Sequence, residues 1–440
     1  MAEVIVRGGT ILTIDGASRV LAGDVHAVDG RIVQVGGAAT PRGRDYEVLD
    51  ASGCVVMPGL VQSHIHTCQT LARGRADDLA LLDWLKKIVW PYEAALTRED
   101  AAASARLAAV ELLRGGTTAI QDMGTVHHTD AIFEVLRDSG LRAAAGKAMM
   151  DTGDGVPAGL RETTKASLDQ SYALCATWHG AAQGRLTYAF APRFVLSCSE
   201  ELLRDVAARA PGLGARIHTH SSENADEIAA VRQLRGDDNV VYLHALGMSG
   251  PHVGLAHCVW LSEQERKILR DTGTHVLHCP SSNLKLASGI AAIPEMIAEG
   301  VAVSLGADGA PCNNNLDGFL ELRLAALIHK PRVGPRAMPA PQVVWLATMG
   351  GARALGLDND IGSLEDGKKA DLIVVDVSGA HVVPSASAYS AIVYAARSTD
   401  VRHVIVDGRV VVKTGELLTL DAPRVIAEAK SRATTLFARI

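Results

Sequence analysis

Short apolar runs separated by turn residues predict β-strands near the beginning of the chain. Residues 4–13 alternate loosely between apolar and polar positions and are interrupted by glycines. The apolar runs at residues 23–28 and 31–35 flank Asp29-Gly30. An Asp-Gly pair between two apolar runs is the strongest short signal for a β-hairpin. We therefore predict a small β element, not a helical one, over residues 3–36.

From Pro58 onward the pattern changes to helical segments that alternate with short apolar runs. Residues 98–114 have helical spacing, follow Thr97 with Asp100 three residues on, and end at Gly115. Strands are predicted to begin near residues 55, 117, 142, 185, 215, 254, 274 and 301. Strands alternating with helices imply parallel pairing and right-handed crossovers. Eight such units predict an α/β fold, a (β/α)8 TIM-like barrel.

The pattern after the barrel predicts more β structure at the other end of the chain. Residues 371–375 and 401–412 are predicted strands, and the second run contains an Asp407-Gly408 turn. Since both ends of the chain carry strands, we predict that they fold together into one small β-sandwich domain. The predicted domains are the N-terminal part of that sandwich at residues 1–57, the barrel at residues 58–360, and the C-terminal part with a terminal helix at residues 361–440.

Length and composition agree with this organisation and exclude several functional classes. A chain of 440 residues suits a barrel plus a smaller domain. The net charge is −6 and the arginines are scattered, which argues against nucleic acid as a partner because phosphate binding needs clustered Lys and Arg. Seven cysteines without a CxxC pair predict reduced thiols in a cytoplasmic protein. No signal-peptide pattern and no apolar run of membrane-spanning length is present.

Two histidines one residue apart, His64 and His66, follow an apolar run and the Pro58-Gly59 break. In a strand, residues i and i+2 point to the same side, so both imidazoles can face one metal ion. The plain alternative is two unrelated histidines, one of them in the core. Metal-competent residues further along the chain favour the metal interpretation.

Such residues recur where other predicted strands end, namely His218 and His220 with Glu223 beyond them, then His257, His278 and Asp308. The active site of a barrel forms at the C-terminal ends of its strands, so these side chains can meet around one mouth. A catalytic zinc takes about three protein ligands and keeps a position open for water. The predicted metal ligands are His64, His66, His220 and Asp308, and the predicted acid–base residues are Glu223, His257 and Asp308.

Three of these assignments have alternatives. Asp308 stands in a Gly-Ala-Asp-Gly sequence and is otherwise a turn residue. His218 and His220 share a strand face, and only the spacing to Glu223 favours His220. His278 precedes a Cys-Pro pair, and we expect it to contact the substrate rather than the metal.

The ordered set from His64 to Asp308 resembles the amidohydrolase superfamily over nearly the whole chain. Residues 281–286, 306–310 and 313–317 resemble its deaminase branch, which includes methylthioadenosine/S-adenosylhomocysteine deaminases, 5′-deoxyadenosine deaminases, guanine deaminases and s-triazine hydrolases. The resemblance implies one divalent metal ion, usually zinc (Zn2+) or iron (Fe2+), and hydrolytic loss of ammonia from an aromatic N-heterocycle. Some members bridge two metals with a modified lysine at the end of strand four, and the absence of lysine from residues 185–194 fits one metal.

The resemblance also suggests how a substrate would be bound, but it points in two directions. By likeness to adenosine-type enzymes, Trp84 would pack on a nucleoside and Glu93 would bind ribose hydroxyls. Guanine deaminases carry a similar Trp and Glu, so this pair does not decide, and Trp84 is otherwise a core residue of an amphipathic helix. Gln69 and the Arg193-Phe194 pair are instead similar to guanine deaminases, because the adenosine-type enzymes place a histidine where Arg193 stands. An arginine can donate two hydrogen bonds to ring nitrogen or carbonyl acceptors.

The favoured expectation is therefore an adenosine-type nucleoside such as 5′-deoxyadenosine, methylthioadenosine or adenosine. Guanine is the alternative, and a triazine-like ring comes third. A metal-free barrel used for assembly is an expectation of a different class, and the intact metal positions argue against it. We expect a small heterocyclic molecule as the partner, no nucleic acid and no membrane, while a homodimer or higher homo-oligomer rests on the resemblance alone.

Overall fold

The fold is taken from a computed structural model that describes residues 3–440. Its first five strands are β1 (Glu3–Leu12), β2 (Val20–Val28), β3 (Arg31–Val35), β4 (Glu47–Asp50) and β5 (Cys54–Pro58). The predicted hairpin joins β2 and β3, and its turn residues Asp29 and Gly30 both have positive φ angles, of 48° and 80°. Two-residue hairpin turns need such angles, which explains the Asp-Gly pair.

Eight parallel strands then form the barrel, as predicted. The strands of this sheet are β6 (Leu60–Ile65), β7 (Thr117–Met123), β8 (Arg142–Gly146), β9 (Ala148–Met149), β10 (Leu186–Pro192), β11 (Arg216–Ser221), β12 (Val253–His257), β13 (His275–His278) and β14 (Ala302–Leu305). The short β9 continues the line of β8 and pairs with β10. A parallel bridge between Ile65 and Asp308 brings the last strand back to the first.

Both ends of the chain meet in one mainly antiparallel sheet, to which the C-terminal part adds β15 (Leu372–Asp376), β16 (Val401–Val406), β17 (Arg409–Lys413) and β18 (Glu416–Leu417). The strand order is β18-β17-β16-β15-β5-β1-β2-β3, with β4 beside β1. The first barrel strand begins at Leu60 rather than near residue 55, because β5 pairs with β15 in this sheet. The chain crosses between the two sheets at Gly59, where a Cβ atom would lie 2.1 Å from Thr118 Oγ1.

Helices cover the barrel and close its ends. They are α1 (Leu81–Trp84), α2 (Trp90–Ala94), α3 (Arg98–Arg114), α4 (Thr129–Ser139), α5 (Thr164–Trp178), α6 (Glu200–Arg209), α7 (Ala225–Arg235), α8 (Asn239–Ala245), α9 (Glu263–Thr272), α10 (Pro280–Lys285), α11 (Ile293–Ala298), α12 (Ala310–Asn313), α13 (Gly318–Leu327), α14 (Lys330–Val333), α15 (Ala340–Trp345), α16 (Gly351–Leu355), α17 (Ala388–Ser390) and α18 (Ala422–Phe437). Thr97 and Asp100 form a complete capping box at the start of α3. A π-helical turn, Leu85–Val89, joins α1 to α2.

Within residues 3–440, the helices are all too short or too polar to span a bilayer. All seven cysteines are buried and free. Burial raises the pKa of the Cys68, Cys258 and Cys279 thiols well above the usual value. These thiols beside the barrel mouth are therefore protonated packing groups.

Candidate active site

The predicted metal-competent side chains lie together at the C-terminal mouth of the barrel. His64 is in β6 and His66 follows it, His220 is in β11, and Asp308 follows β14. Asp308 Oδ1 lies 3.2 Å from His64 Nε2 and 3.3 Å from His66 Nε2. His66 Nε2 lies 3.2 Å from His220 Nε2. Strands far apart in sequence thus bring four ligand atoms to one point.

This cluster suits a divalent metal ion. His64, His66 and Asp308 are almost completely buried and His220 is partly buried, and His64 Nε2 makes no hydrogen bond of suitable geometry. Imidazole nitrogens and a carboxylate oxygen are ligands that zinc accepts. The potential ligand atoms form two overlapping groups, one of His64, His66 and Asp308 and one of His64, His220 and His257. Within each group the atoms lie within 4.8 Å of one another.

Second hydrogen bonds orient the imidazoles. His66 Nδ1 donates to the carbonyl of Met123 at 2.8 Å, and His220 Nδ1 donates to the carbonyl of Arg193 at 2.6 Å. Each bond leaves the Nε2 lone pair free to bind a metal. His218 Nε2 contacts His64 Nδ1 at 2.7 Å. His218 therefore supports His64 from behind, while His220 faces the cluster.

The predicted acid–base residues lie beside the same cluster. His257 Nε2 is 3.5 Å from Glu223 Oε2 and 3.8 Å from Asp308 Oδ2. His257 Nδ1 donates to Asn283 Oδ1 at 2.9 Å, and Ser282 Oγ donates to Asp308 Oδ2 at 2.7 Å. His257 and Asp308 have left-handed φ angles of 74° and 62°, a strained conformation that is common at functional sites.

The two carboxyl groups have opposite proton affinities. Burial raises the pKa of Glu223 to about 7, and nearby His257 only partly offsets this rise. Burial also disfavours the charged form of Asp308, but the imidazoles of His64, His257 and His66 lower its pKa well below the usual range. Burial by itself would lower the pKa of His257. The nearby carboxylates of Glu223 and Asp308 raise it by more, so the pKa of His257 lies above its usual value. Glu223 can thus exchange a proton near neutral pH, while Asp308 stays ionised.

A pocket of about 420 Å³ opens above this cluster. The residues that line it are His66, Leu81, Trp84, Leu85, Arg193, Phe194, His220, Glu223, Glu227, His257, Leu286 and Asp308. Three predicted substrate contacts, Trp84, Arg193 and Phe194, belong to the wall. The other three, Gln69, Glu93 and His278, do not.

Gln69 and Glu93 lie behind the wall, in a buried network with Arg193. Arg193 Nη1 donates to Glu93 Oε2 at 2.5 Å, and Arg193 Nη2 donates to Glu93 Oε1 at 3.2 Å. Gln69 Nε2 donates to Glu93 Oε1 at 2.8 Å. Neither Gln69 nor Glu93 lines the pocket wall, so the structure does not place them where direct contact with a substrate was expected.

His278 also departs from the expected placement, for a reason of strand geometry. Neighbouring residues of a strand face opposite sides, and Leu277 belongs to the same buried cluster as Ala189 of β10 and Ala256 of β12. His278 consequently turns away, and its ring lies 5.9 Å from the ring of His329. The hydrophobic pattern of the sequence correctly placed His278 at the end of a strand, but it did not indicate which face of the strand the side chain occupies.

Several residues of the site were not anticipated. Glu227 accepts a hydrogen bond from the backbone N–H of Glu223 at 2.8 Å, and it lies one helical turn beyond that residue. Leu81 and Leu85 share the helix face of Trp84. The spacing of four residues between Glu223 and Glu227, and between Leu81 and Leu85, was visible in the sequence and could have indicated these pocket residues. Asn283, which orients His257, carried no such signal.

The chain is similar to known proteins in both sequence and structure. The sequence profile named Amidohydrolase family matches residues 55–411. A 5′-deoxyadenosine deaminase from Methanosarcina mazei is 40% identical and covers 100% of both chains. A 5-methylthioadenosine/S-adenosylhomocysteine deaminase from Moorella thermoacetica is 41% identical, over 98% of this chain and 99% of the relative. The structure of an adenosine deaminase from Xanthomonas campestris with bound zinc matches with a TM-score of 0.92 and 30% identity, over 99% of this chain and 98% of that one.

Proposed function

Because the chain belongs to the amidohydrolase family, we propose that it is a metal-dependent deaminase that hydrolytically releases ammonia from an adenosine-type nucleoside. The observation that carries this proposal is the placement of Glu223, with its pKa of about 7, in the same pocket as the buried His/Asp cluster. The full-length relatives named as 5′-deoxyadenosine and methylthioadenosine deaminases support the nucleoside.

One divalent ion completes the proposed site. His64, His66, His220 and Asp308 would hold it, with zinc favoured over Fe2+ because the Xanthomonas campestris relative has zinc bound. The single ion also agrees with Lys147, which is buried at the end of β8 against Glu162. Lys147 Nζ donates to Glu162 Oε1 at 2.6 Å, so it is an ion-pairing group and not a bridging ligand.

The residues of the pocket divide the proton transfers among them. When bound, a divalent ion lowers the pKa of water toward neutrality. Asp308 and His257, 3.8 Å apart, lie where they can accept the proton that the water loses. Glu223 donates its proton to the ring nitrogen next to the amine-bearing carbon as the water oxygen bonds to that carbon. The proton taken up by Asp308 and His257 then passes to the amine, which leaves as ammonia, while the hydroxyl proton on the ring carbon returns to Glu223.

Guanine is the second candidate substrate. The observation that favours it is Arg193 on the pocket wall, where a guanidinium can donate to a ring carbonyl. The resemblance of Arg193-Phe194 and Gln69 to guanine deaminases points the same way. A triazine-like ring stays a third candidate.

Ammonia release from a panel of amines tests the proposal. The panel contains 5′-deoxyadenosine, methylthioadenosine, adenosine, S-adenosylhomocysteine, guanine and a hydroxytriazine. We expect the highest kcat/KM with a nucleoside that has a short 5′ group. A higher kcat/KM with guanine would replace the substrate assignment, and no ammonia from any compound by the zinc-loaded protein would refute the deaminase itself.

A further inference from the structure

The carboxylate of Glu93 is fully enclosed by protein. Its side chain has 0% exposure, and the Arg193 side chain in front of it has 4%. Glu93 Oε1 accepts hydrogen bonds from Gln69 and Arg193, and Oε2 accepts one from Arg193. A substrate in the pocket would therefore meet the guanidinium of Arg193 before it met Glu93.

Arg193 is connected to the metal cluster as well as to Glu93. Its backbone carbonyl accepts hydrogen bonds from Nδ1 of His220 at 2.6 Å and from the backbone N–H of His220 at 3.1 Å. Its own N–H donates to the carbonyl of Met149. The side chain and backbone of this one residue thus join the pocket wall to the orientation of His220.

Gln69 fixes the far side of the network. A Cβ atom at Gly309 would lie only 2.1 Å from Gln69 Oε1, so this glycine lets the amide pack directly on the backbone beside Asp308. From there Gln69 Nε2 reaches Glu93. Glu93 is therefore held from two sides, and its negative charge is compensated by the buried guanidinium.

We infer that Glu93 is a positioning residue that fixes the guanidinium of Arg193 on the pocket wall, and not a residue that binds the sugar of the substrate. The guanidinium has five N–H donors, and two of them bond to Glu93. Nη1 also contacts Met150 Sδ at 3.9 Å. Because Arg193 lines the pocket, its other N–H groups would recognise hydrogen-bond acceptors of the substrate, such as a ring nitrogen or carbonyl. The part of this inference that concerns a substrate rests on the proposed function. The ion pair between Glu93 and Arg193 does not depend on that function.

Substrates with and without vicinal hydroxyls test the inference. E93Q should raise the KM for adenosine and for 2′,3′-dideoxyadenosine by the same factor, at least about tenfold. Both substrates would then bind to a pocket in which Glu93 no longer fixes the guanidinium of Arg193. If guanine is the substrate, E93Q should raise the KM for guanine, a base without a sugar, by a similar factor. A KM increase confined to substrates that carry the ribose hydroxyls would overturn the inference.

A double-mutant cycle supplies a readout that does not depend on deaminase activity. E93Q and R193M should each lower the midpoint of thermal unfolding, and E93Q/R193M should be no less stable than R193M alone. Additive losses would show that the two side chains act independently and would refute the pairing. If the wild-type protein deaminates nothing, the proposed function fails while this cycle still decides the pairing.

E162Q is the matched control, because it removes the charge of a partly buried carboxylate that pairs with the buried cation of Lys147. Glu162 pairs with Lys147 outside the pocket wall. E162Q should lower the unfolding midpoint without changing KM. An equal KM increase in E162Q and E93Q would mean that any buried charge loss disturbs the pocket, and would overturn the specific role of Glu93.

Discussion

At the scale of single residues, burial decides what each ionisable group of the site can do. Glu223 and Asp308 are both buried carboxyls, yet the pKa of Glu223 rises to about 7 and that of Asp308 falls. The difference follows from their neighbours, since Asp308 contacts two imidazoles within 3.3 Å and Glu223 approaches one at 3.5 Å. Glu223 is therefore suited to donate a proton near neutral pH, and Asp308 is ionised there, as a proton acceptor or a metal ligand must be.

Replacing Glu223 should separate proton transfer from metal binding. E223Q keeps the size of the side chain but cannot carry a proton, so we expect kcat to fall by about 10²–10⁴-fold. Bound zinc, measured by elemental analysis, should stay at the wild-type level because the four proposed ligands are unchanged. Turnover like that of the wild type would remove Glu223 from its role.

Removing the metal should abolish turnover reversibly. After a chelator and dialysis, we expect no ammonia release, since nothing then lowers the pKa of the attacking water. Adding one equivalent of zinc should restore activity, and H64A should not be restored at the same zinc concentration. Full activity of a protein shown to be metal-free would contradict the proposed mechanism.

Exchanging the arginine of the wall should change substrate preference. R193H replaces a fixed guanidinium with a shorter imidazole and leaves Glu93 without its partner. We expect kcat/KM for guanine, relative to that for adenosine, to fall by about tenfold or more, because a single imidazole N–H replaces a two-pronged donor. An unchanged ratio across the panel would make Arg193 a structural residue.

At the scale of elements, the loops after the strands depend on buried polar anchors. Glu321 in α13 accepts a hydrogen bond from Asn313 of α12 at 2.8 Å and another from the backbone N–H of Ser281 in α10 at 3.2 Å. These helices follow β13 and β14 and carry the segment that contains Asn283. One carboxyl group therefore ties together the short helices that support His257 and Asp308.

This anchor should make stability depend on pH. Burial raises the pKa of Glu321 from 4.5 to about 7. The stability that Glu321 contributes is fully present below the unfolded pKa of 4.5, and it is lost progressively as the pH rises from there to the folded pKa of about 7. At 1.36 kcal/mol per pH unit, the loss between about pH 5.5 and about pH 8.5 should amount to about 2 kcal/mol.

E321Q cannot ionise, so its free energy of unfolding should depend less on pH. Urea unfolding at about pH 5.5 and about pH 8.5 measures the effect. E134Q in α4, whose side chain is 45% exposed, is the control. Equal pH dependence in E321Q and the wild type would contradict the assignment.

At the scale of the whole molecule, a buried ion pair joins the barrel to the sheet built from the chain ends. Arg142 at the start of β8 donates from Nε to Asp371 Oδ2 at 2.7 Å and from Nη2 to Asp371 Oδ1 at 3.0 Å. Asp371 also accepts from the backbone N–H of Asp407, in the turn between β16 and β17. The two sheets are thus connected by polar contacts as well as by the chain at Gly59.

Breaking this pair should destabilise both parts together. R142M leaves the carboxylate of Asp371 buried and uncompensated, so we expect a loss of about 3–5 kcal/mol. Far-ultraviolet circular dichroism and tryptophan fluorescence should still report a single unfolding transition. R137M, which removes an exposed pair with Asp138, should cost no more than about 1 kcal/mol. Two separated transitions in R142M would show that the sheet and barrel unfold independently.

The sequence by itself determined the barrel, the sheet of the chain ends and the positions of His64, His66, His220, Glu223 and Asp308. Period-two and helical patterns repeat locally, and parallel strands must end on one side of a barrel, so residues at strand ends meet without knowledge of the packing. The turns at Asp29-Gly30 and Asp407-Gly408 were likewise readable because only certain residues accept their backbone angles.

Only the tertiary structure decided which of these residues reach the pocket. His278 stands at a strand end but faces His329, and Glu93 stands on a pocket helix but is covered by Arg193. Side-chain direction at a strand end and pairing between residues 100 positions apart depend on three-dimensional packing, which no local pattern encodes. The pKa of Glu223 was decided in the same way, because burial and the distance to His257 exist only in the folded chain.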